Sequence, residues 1–146
     1  MQEEHLAIAS MPIQTWGAIY DEREALKIGT IFKDLDKPFF AAATIDERNM
    51  AEAATMSLEQ REREKLLTRI MEVSFALDDL TLYLDMHEKD QDAIALFLEK
   101  SRQRDELKKQ FAEQFYPLTR DCAIYCREGG SFSHLKGPCP WEGACV

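Results

Sequence analysis

The chain divides into a short aromatic segment and a long helical pattern, and neither can bury its apolar side chains alone. The segment from Met11 to Phe39 has several large apolar groups and too little backbone to enclose them. The pattern from Ser57 to about Phe115 has the apolar spacing of two amphipathic helices. Because each piece leaves an apolar face uncovered, each needs a surface to pack on. The sequence therefore predicts assembly rather than chemistry.

The helical pattern predicts an all-α fold, an antiparallel hairpin with helices over about 57–86 and 91–115. Ser57 and Gln60 form a capping-box pattern, and Asp90 is the expected N-cap of the second helix. The predicted stripe of the first helix is Leu66, Leu67, Ile70, Met71, Ser74, Leu77, Thr81 and Leu84, widened by Phe75, Leu80, Leu82 and Tyr83. The predicted apolar stripe of the second helix is Ala93, Leu96, Phe97, Lys100 or Arg104, Leu107, Phe111 and Phe115.

A short helix is predicted over Glu22–Ile28 in the first segment. Asp21 and Glu24 form a capping-box pattern before it, and Gly29 suits the residue after it because glycine adopts positive φ without strain. The residues after Gly29 are expected to be extended. The apolar face of the hairpin is completed by this segment, by self-association or by a foreign partner.

The expected organisation is an N-terminal segment at 1–40, an alanine-rich linker at 41–56 and a hairpin domain at 57–146. The linker has no proline or glycine, so it is expected to be partly helical. Residues 117–146 contain several glycines and prolines without a helical or strand period, which predicts an irregular tail.

The charge of the chain disfavours two classes of partner. A net charge of −9 without a basic cluster argues against nucleic acid and against an anionic membrane surface. The first ten residues are acidic where a signal peptide needs positive charge, and no apolar run reaches the length of a membrane span. We therefore expect a protein that is made and stays inside a cell.

The cysteines are confined to the tail. Together with one histidine they could ligate zinc, although the usual Cys-x2-Cys pair is lacking. Cross-linking in an oxidised assembly and inert thiols are the alternatives. We expect no cofactor. The residues concerned are Cys122, Cys126, His134, Cys139 and Cys145.

Carboxylates crowd the tip of the hairpin, and no nucleophile or phosphate-binding motif is present in the sequence. A di-metal bundle would need Glu-x-x-His pairs, which the sequence lacks. Capping and solvation are therefore the expected roles of these acids, and the chain is not expected to be an enzyme. The acids are Asp78, Asp79, Asp85, Glu88, Asp90 and Asp92, beside His87.

Two stretches resemble known families. Residues 11–39 resemble the small spore coat protein CotJA, on the marks Trp16, Tyr20, Glu24-Ala25-Leu26, Gly29-Thr30-Ile31-Phe32, Leu35 and Asp36-Lys37-Pro38-Phe39. Residues 66–142 resemble CotJB, the product of a neighbouring gene, on the marks Leu80-Thr81-Leu82-Tyr83-Leu84-Asp85-x-His87, Tyr116-Pro117-Leu118-Thr119 and Pro140-Trp141-Glu142-Gly143. The chain is thus similar to a fusion of the two.

The resemblance implies a non-catalytic structural component of the bacterial endospore coat, made in the mother cell. It also implies a partner, the CotJC-like coat protein that resembles manganese catalases and carries the metal and peroxide chemistry. Self-association is a further possibility. The expected partner contacts are Trp16, Tyr20, Phe32, Phe39, Leu77, Leu80, Tyr83, Leu84, Leu96, Phe97 and Trp141.

Two other functions remain open on the sequence. One is a small metal-binding or redox module that uses the cysteine tail, with the hairpin as its scaffold. The other is an adaptor that regulates a catalase-like enzyme instead of building the coat.

Overall fold

The chain forms a helical hairpin with a short helical segment packed on it. The computed structural model describes residues 14–36, 57–126 and 137–138. Its helices are α1 (Glu22–Ile28), α2 (Leu58–Met86) and α3 (Gln91–Gln114), with 3-10 turns at Lys33–Leu35 and Arg120–Tyr125. Helix α2 packs against both α1 and α3. The predicted all-α hairpin is confirmed, with helix bounds within a residue of those expected, whereas the predicted linker at 41–56 lies outside the described residues.

The helices begin at the residues that the capping patterns predict. The Ser57 hydroxyl accepts from the Gln60 N–H at 3.1 Å, and the Gln60 side chain accepts from the Ser57 N–H at 2.9 Å. The Asp90 carboxylate accepts from the N–H groups of Asp92 and Ala93 at the start of α3. Each bond satisfies a backbone donor that the first turn of a helix leaves free.

Helix α1 is bounded by Asp21 and Gly29. The Asp21 carboxylate accepts from the N–H groups of Arg23 and Glu24, both at 3.0 Å. Gly29 has φ +96° and donates its N–H to the Ala25 carbonyl, as the sequence predicts for a residue that ends a helix.

The buried face of α2 is rotated from the predicted stripe. Val73 and Ala76, which the prediction left out, are buried, whereas Met71, Thr81 and Leu82 are exposed and were wrongly placed on the stripe. The Thr81 hydroxyl donates to the Leu77 carbonyl at 2.7 Å instead of facing the core. The rotation arises because α2 is covered on two sides, by α3 and by the N-terminal segment.

The tail contains more order than its composition predicts. Residues Arg120–Tyr125 form a 3-10 turn that packs on α3 and buries Cys122. Further along, a Cβ on Gly137 would lie 2.9 Å from Cδ2 of the Tyr116 ring. Glycine is therefore needed where the chain returns to the end of the hairpin.

A hydrogen bond between Tyr83 and Asp90 links the two helices across their turn. The Tyr83 hydroxyl donates to the Asp90 carboxylate at 2.9 Å, and the Tyr83 ring stacks on the His87 ring with centroids 4.1 Å apart. Burial and the Asp90 hydrogen bond raise the pKa of Tyr83 to about 12. Hydrogen bonds from Ala93, Tyr83 and Asp92 lower the pKa of Asp90, against a smaller opposing effect of burial. Neutral Tyr83 and charged Asp90 are thus the forms that the fold favours.

We predict that Gly29→Ala lowers the free energy of unfolding by about 1 kcal/mol, because alanine is strained at positive φ. Within the part of the chain that the structure describes, no atom beyond the flanking residues lies within 4 Å of the added Cβ, so the cost is conformational and not steric. Gly17→Ala is the matched control, since its Cβ would meet only ordinary contacts and its φ is not positive. Urea unfolding measures both variants, and equal stabilities of the two would contradict the prediction.

We predict that Tyr83→Phe lowers the free energy of unfolding by about 1 kcal/mol near pH 8, where Tyr83 is neutral in both states. Because the folded pKa is raised to about 12 from 10, the stabilising effect of Tyr83 is complete below pH 10 and is lost as the pH rises toward 12. The gap between wild type and variant should therefore shrink above pH 10. Urea unfolding at pH 8, 10 and 11 checks this, and a constant gap would count against it.

Candidate partner-binding site

The N-terminal segment lies over the groove between α2 and α3. Its residues Ile31 and Phe32 are 2% and 3% exposed and form one cluster with Leu80 and Tyr83 of α2. Ala93 of α3 belongs to the same cluster. The segment therefore supplies the part of the core that the two-helix hairpin lacks.

The segment is closed on itself by backbone hydrogen bonds. The N–H of Tyr20 donates to the Ile31 carbonyl at 2.8 Å, and the N–H of Lys33 donates to the Ala18 carbonyl at 3.3 Å. The Tyr20 hydroxyl donates to Asp36 at 2.9 Å, and this bond raises the pKa of Tyr20. Helix α1 lies between the two stretches that these backbone bonds join. We call residues 14–36 the hook, because the chain turns back and pairs with itself on either side of α1.

Aromatic rings form the apolar centre of the contact. The Trp16 centroid lies 6.1 Å from that of Phe32, edge to face, and 5.4 Å from that of Tyr83. The Phe32 and Tyr83 centroids are 5.1 Å apart. These spacings are those of favourable aromatic pairs. Two rings of the segment thus enclose one ring of the hairpin.

A single carboxylate of α2 receives two hydrogen bonds from the segment. Asp79 Oδ2 accepts from the Thr30 hydroxyl at 2.9 Å and from the Ile31 N–H at 2.8 Å. Thr30 Oγ1 in turn accepts from the Phe32 N–H at 3.1 Å. The polar backbone that enters the core with Ile31 and Phe32 is therefore satisfied.

Ion pairs tie α1 to both helices of the hairpin. Glu22 pairs with Lys100 of α3 and, at 3.5 Å, with Arg69 of α2. Arg69 also pairs with Glu72 at 3.0 Å, and this bond raises the pKa of Arg69. Burial disfavours the charged form of Glu22, but Lys100, a backbone hydrogen bond and Arg69 together outweigh it and hold the pKa of Glu22 below its ordinary value. Glu22 is therefore a charged group held at the junction of the three helices.

Apolar burial supplies most of the stabilisation, and the polar contacts fix the position of the segment. Full burial of Ile31 or Phe32 contributes about 1.5–3 kcal/mol each. A partly exposed ion pair such as that of Arg69 with Glu22 contributes about 0.2–1 kcal/mol. Leaving the Ile31 N–H without its Asp79 acceptor would cost about 1–3 kcal/mol. A shift of the segment along α2 would incur this cost, so Asp79 sets the register.

Most of the expected contact residues lie within this contact. Phe32, Leu80 and Tyr83 are buried in its core, and Leu77 is buried elsewhere along α2. Partly buried residues packed against that core include Trp16, Tyr20, Leu84, Leu96 and Phe97. Phe39 and Trp141 lie outside the described residues. The structure gives the described residues an intramolecular role, and their contact with a foreign partner stays a prediction.

The polar residues of this contact could not be recognised from the sequence. Asp79 was assigned to capping or solvation with the other acids, yet its carboxylate accepts two hydrogen bonds from the N-terminal segment. Asp79 lies inside α2 and away from both ends of the helix, so it cannot cap the helix, and this position could have indicated another role. Glu22 was named only as the first residue of the short helix, and Lys100 only as a member of the apolar stripe, yet the two form an ion pair. Their pairing joins residues far apart in the chain, which spacing cannot reveal.

Only two of the five candidate zinc ligands, Cys122 and Cys126, lie within the described residues. Cys122 is buried, and the Cys126 thiol lies 3.4 Å from the Ala112 carbonyl. His134, Cys139 and Cys145 lie outside the described residues. Within 14–36, 57–126 and 137–138, no three His, Cys, Asp or Glu side chains are grouped as metal ligands. None of the helices in those ranges has the length and apolarity needed to span a bilayer.

Two family models match the chain in the predicted order. The model described as spore coat associated protein JA (CotJA) matches residues 5–39, and the model described as CotJB protein matches residues 64–142. No curated protein and no solved structure matches the chain. The first match contains the hook, and the second contains most of α2 and all of α3. Because the second match covers more than half of the sequence, this spore coat associated protein belongs to the CotJB family, with a CotJA segment fused ahead of the hairpin.

Proposed function

We propose that this chain is a non-catalytic assembly protein of the endospore coat that binds a manganese-catalase-like coat protein. The CotJA and CotJB matches support a coat role, and the resemblance supports a partner that carries the peroxide chemistry. The proposal includes synthesis in the cytoplasm of the mother cell. The chain then contributes binding surfaces, and the partner contributes the metal.

The observation that carries this proposal is an apolar row on α2 that none of the described residues covers. Leu82 and Met86 are 68% and 69% exposed, although the hook and α3 cover the other sides of the helix. Met71, which is 53% exposed, lies eleven residues before Leu82 and therefore on the same face. Aligned exposed apolar side chains are typical of a surface that another protein covers.

The charges beside this row indicate the chemistry of the partner surface. Asp78 and Asp85 are exposed and lie near the same face of α2. No lysine or arginine occurs between Arg69 and Lys89. A complementary surface would therefore present apolar side chains flanked by basic ones, since opposite charges steer association and exclude other partners.

The expected contact residues form two groups, one partly exposed and one buried. Trp16, Tyr20, Leu84, Leu96 and Phe97 keep part of their surface accessible and remain proposed contacts. Phe32, Leu77, Leu80 and Tyr83 are buried, so a partner could reach them only after the hook or a helix moved. A charge at Leu80 would disturb the fold itself and is unsuitable as a test of binding.

We predict that the double variant Leu82→Asp, Met86→Asp weakens binding to the purified catalase-like partner at least tenfold, because it places two charges in the apolar contact. Helix content, measured by circular dichroism, should stay at the wild-type value, since both side chains are exposed. Binding is measured by size-exclusion chromatography and by titration at fixed ionic strength.

The matched control is Leu58→Asp, Ile124→Asp, which makes the same change of charge at side chains that are 80% and 79% exposed elsewhere. It should bind the partner as the wild type does. Equal binding by the Leu82, Met86 variant and the wild type would show that the row on α2 is not the contact.

A further inference from the structure

A cleft of about 740 Å³ between α1 and the first half of α2 is lined mainly by basic side chains. Arg61, Lys65 and Arg69 recur every four residues and therefore share one face of α2. Arg23 of α1 lines the cleft with them. In the sequence these cations are interleaved with glutamates, so no basic cluster is visible there. The fold brings them together in what we call the basic cleft.

The fold itself uses only part of this positive charge. Arg69 pairs with Glu72 at 3.0 Å and with Glu22 at 3.5 Å, so its charge is compensated. The other cations of the cleft are exposed, and within the part of the chain that the structure describes they form no ion pair. These cations are Arg23, Arg61 and Lys65.

The charges of the basic cleft indicate a carboxylate-bearing occupant. A guanidinium group binds a carboxylate through paired hydrogen bonds, and the stems of arginine and lysine add apolar contact around it. Glu64 and Glu72 also line the cleft, so a polymer with a charge at every unit, such as nucleic acid, would meet them as well. The net charge of −9 repels such a polymer at longer range. A protein segment whose carboxylates alternate with neutral residues avoids both penalties.

We infer that the basic cleft binds an acidic segment of another protein, whose carboxylates pair with Arg23, Arg61 and Lys65. This site is separate from the apolar row on α2, since Lys65 and Leu82 are seventeen residues apart and the helix rises about 25 Å between them. The two surfaces also differ in charge, because acids flank the row and cations line the cleft. The chain then holds two proteins of opposite surface charge at once.

The inference is tested on the full-length protein with a fluorescein-labelled peptide of about ten residues in which glutamate and alanine alternate. Fluorescence anisotropy should show saturable binding that weakens as salt is added, because salt screens exposed charges. The same peptide with glutamine in place of glutamate should not bind. Absence of saturable binding by the acidic peptide would overturn the inference. Tighter binding of a single-stranded DNA of equal length would also overturn it, in favour of a nucleic-acid site.

Two double variants locate the binding. Arg61→Ala, Lys65→Ala should weaken binding of the acidic peptide about fivefold, as expected for the loss of two exposed ion pairs. Lys89→Ala, Arg102→Ala is the matched control, since it removes one lysine and one arginine that are exposed outside the cleft, and it should bind as the wild type does. Circular dichroism verifies that both variants fold.

Equal affinities of the two double variants for the acidic peptide would show that binding follows net charge and not the basic cleft, and would overturn the inference. The experiment does not use the catalase-like partner. Its result is therefore independent of the function proposed for the apolar row.

Discussion

Burial of Ile31 and Phe32 between the helices of the hairpin is the interaction on which the rest of the structure depends. A two-helix hairpin has no second layer to cover its apolar face. The hook supplies that layer with few residues, because its two large buried side chains, Ile31 and Phe32, are consecutive in the chain and their backbone N–H groups donate to Asp79 and Thr30. The pairing of a CotJA segment with a CotJB hairpin is thus explained by packing.

The faces of α2 differ in what covers them. One side meets α3, and the next meets the hook through Leu80, Tyr83 and Asp79. The remaining side carries Leu82 and Met86, which no described residue covers. Exposing the apolar side chains of this third side to water costs free energy, and covering them with another protein would recover it. This remaining side is the surface that the proposed function assigns to a partner.

The helices could be predicted from the sequence because their signals are local. Ser57, Asp90 and Gly29 lie at helix ends, where side-chain capping or positive φ dictates the residue type. The buried face of α2 could not be predicted as well, because it depends on packing against both α3 and the hook. Ala76, for example, is buried in one cluster with Ile31 and Phe32. Asp79 was missed for the same reason, because its partners are 48 and 49 residues away.

Hydrogen exchange of the Ile31 amide is the most direct test of the claim that the hook completes the core. This N–H donates to Asp79 at 2.8 Å in a residue that is 2% exposed. If the hook and the hairpin form one cooperative unit, the Ile31 amide should exchange as slowly as the amide of a fully buried residue of α2, such as Leu80. Exchange of the Ile31 amide at the rate of an unstructured peptide, while Leu80 stays protected, would contradict the account.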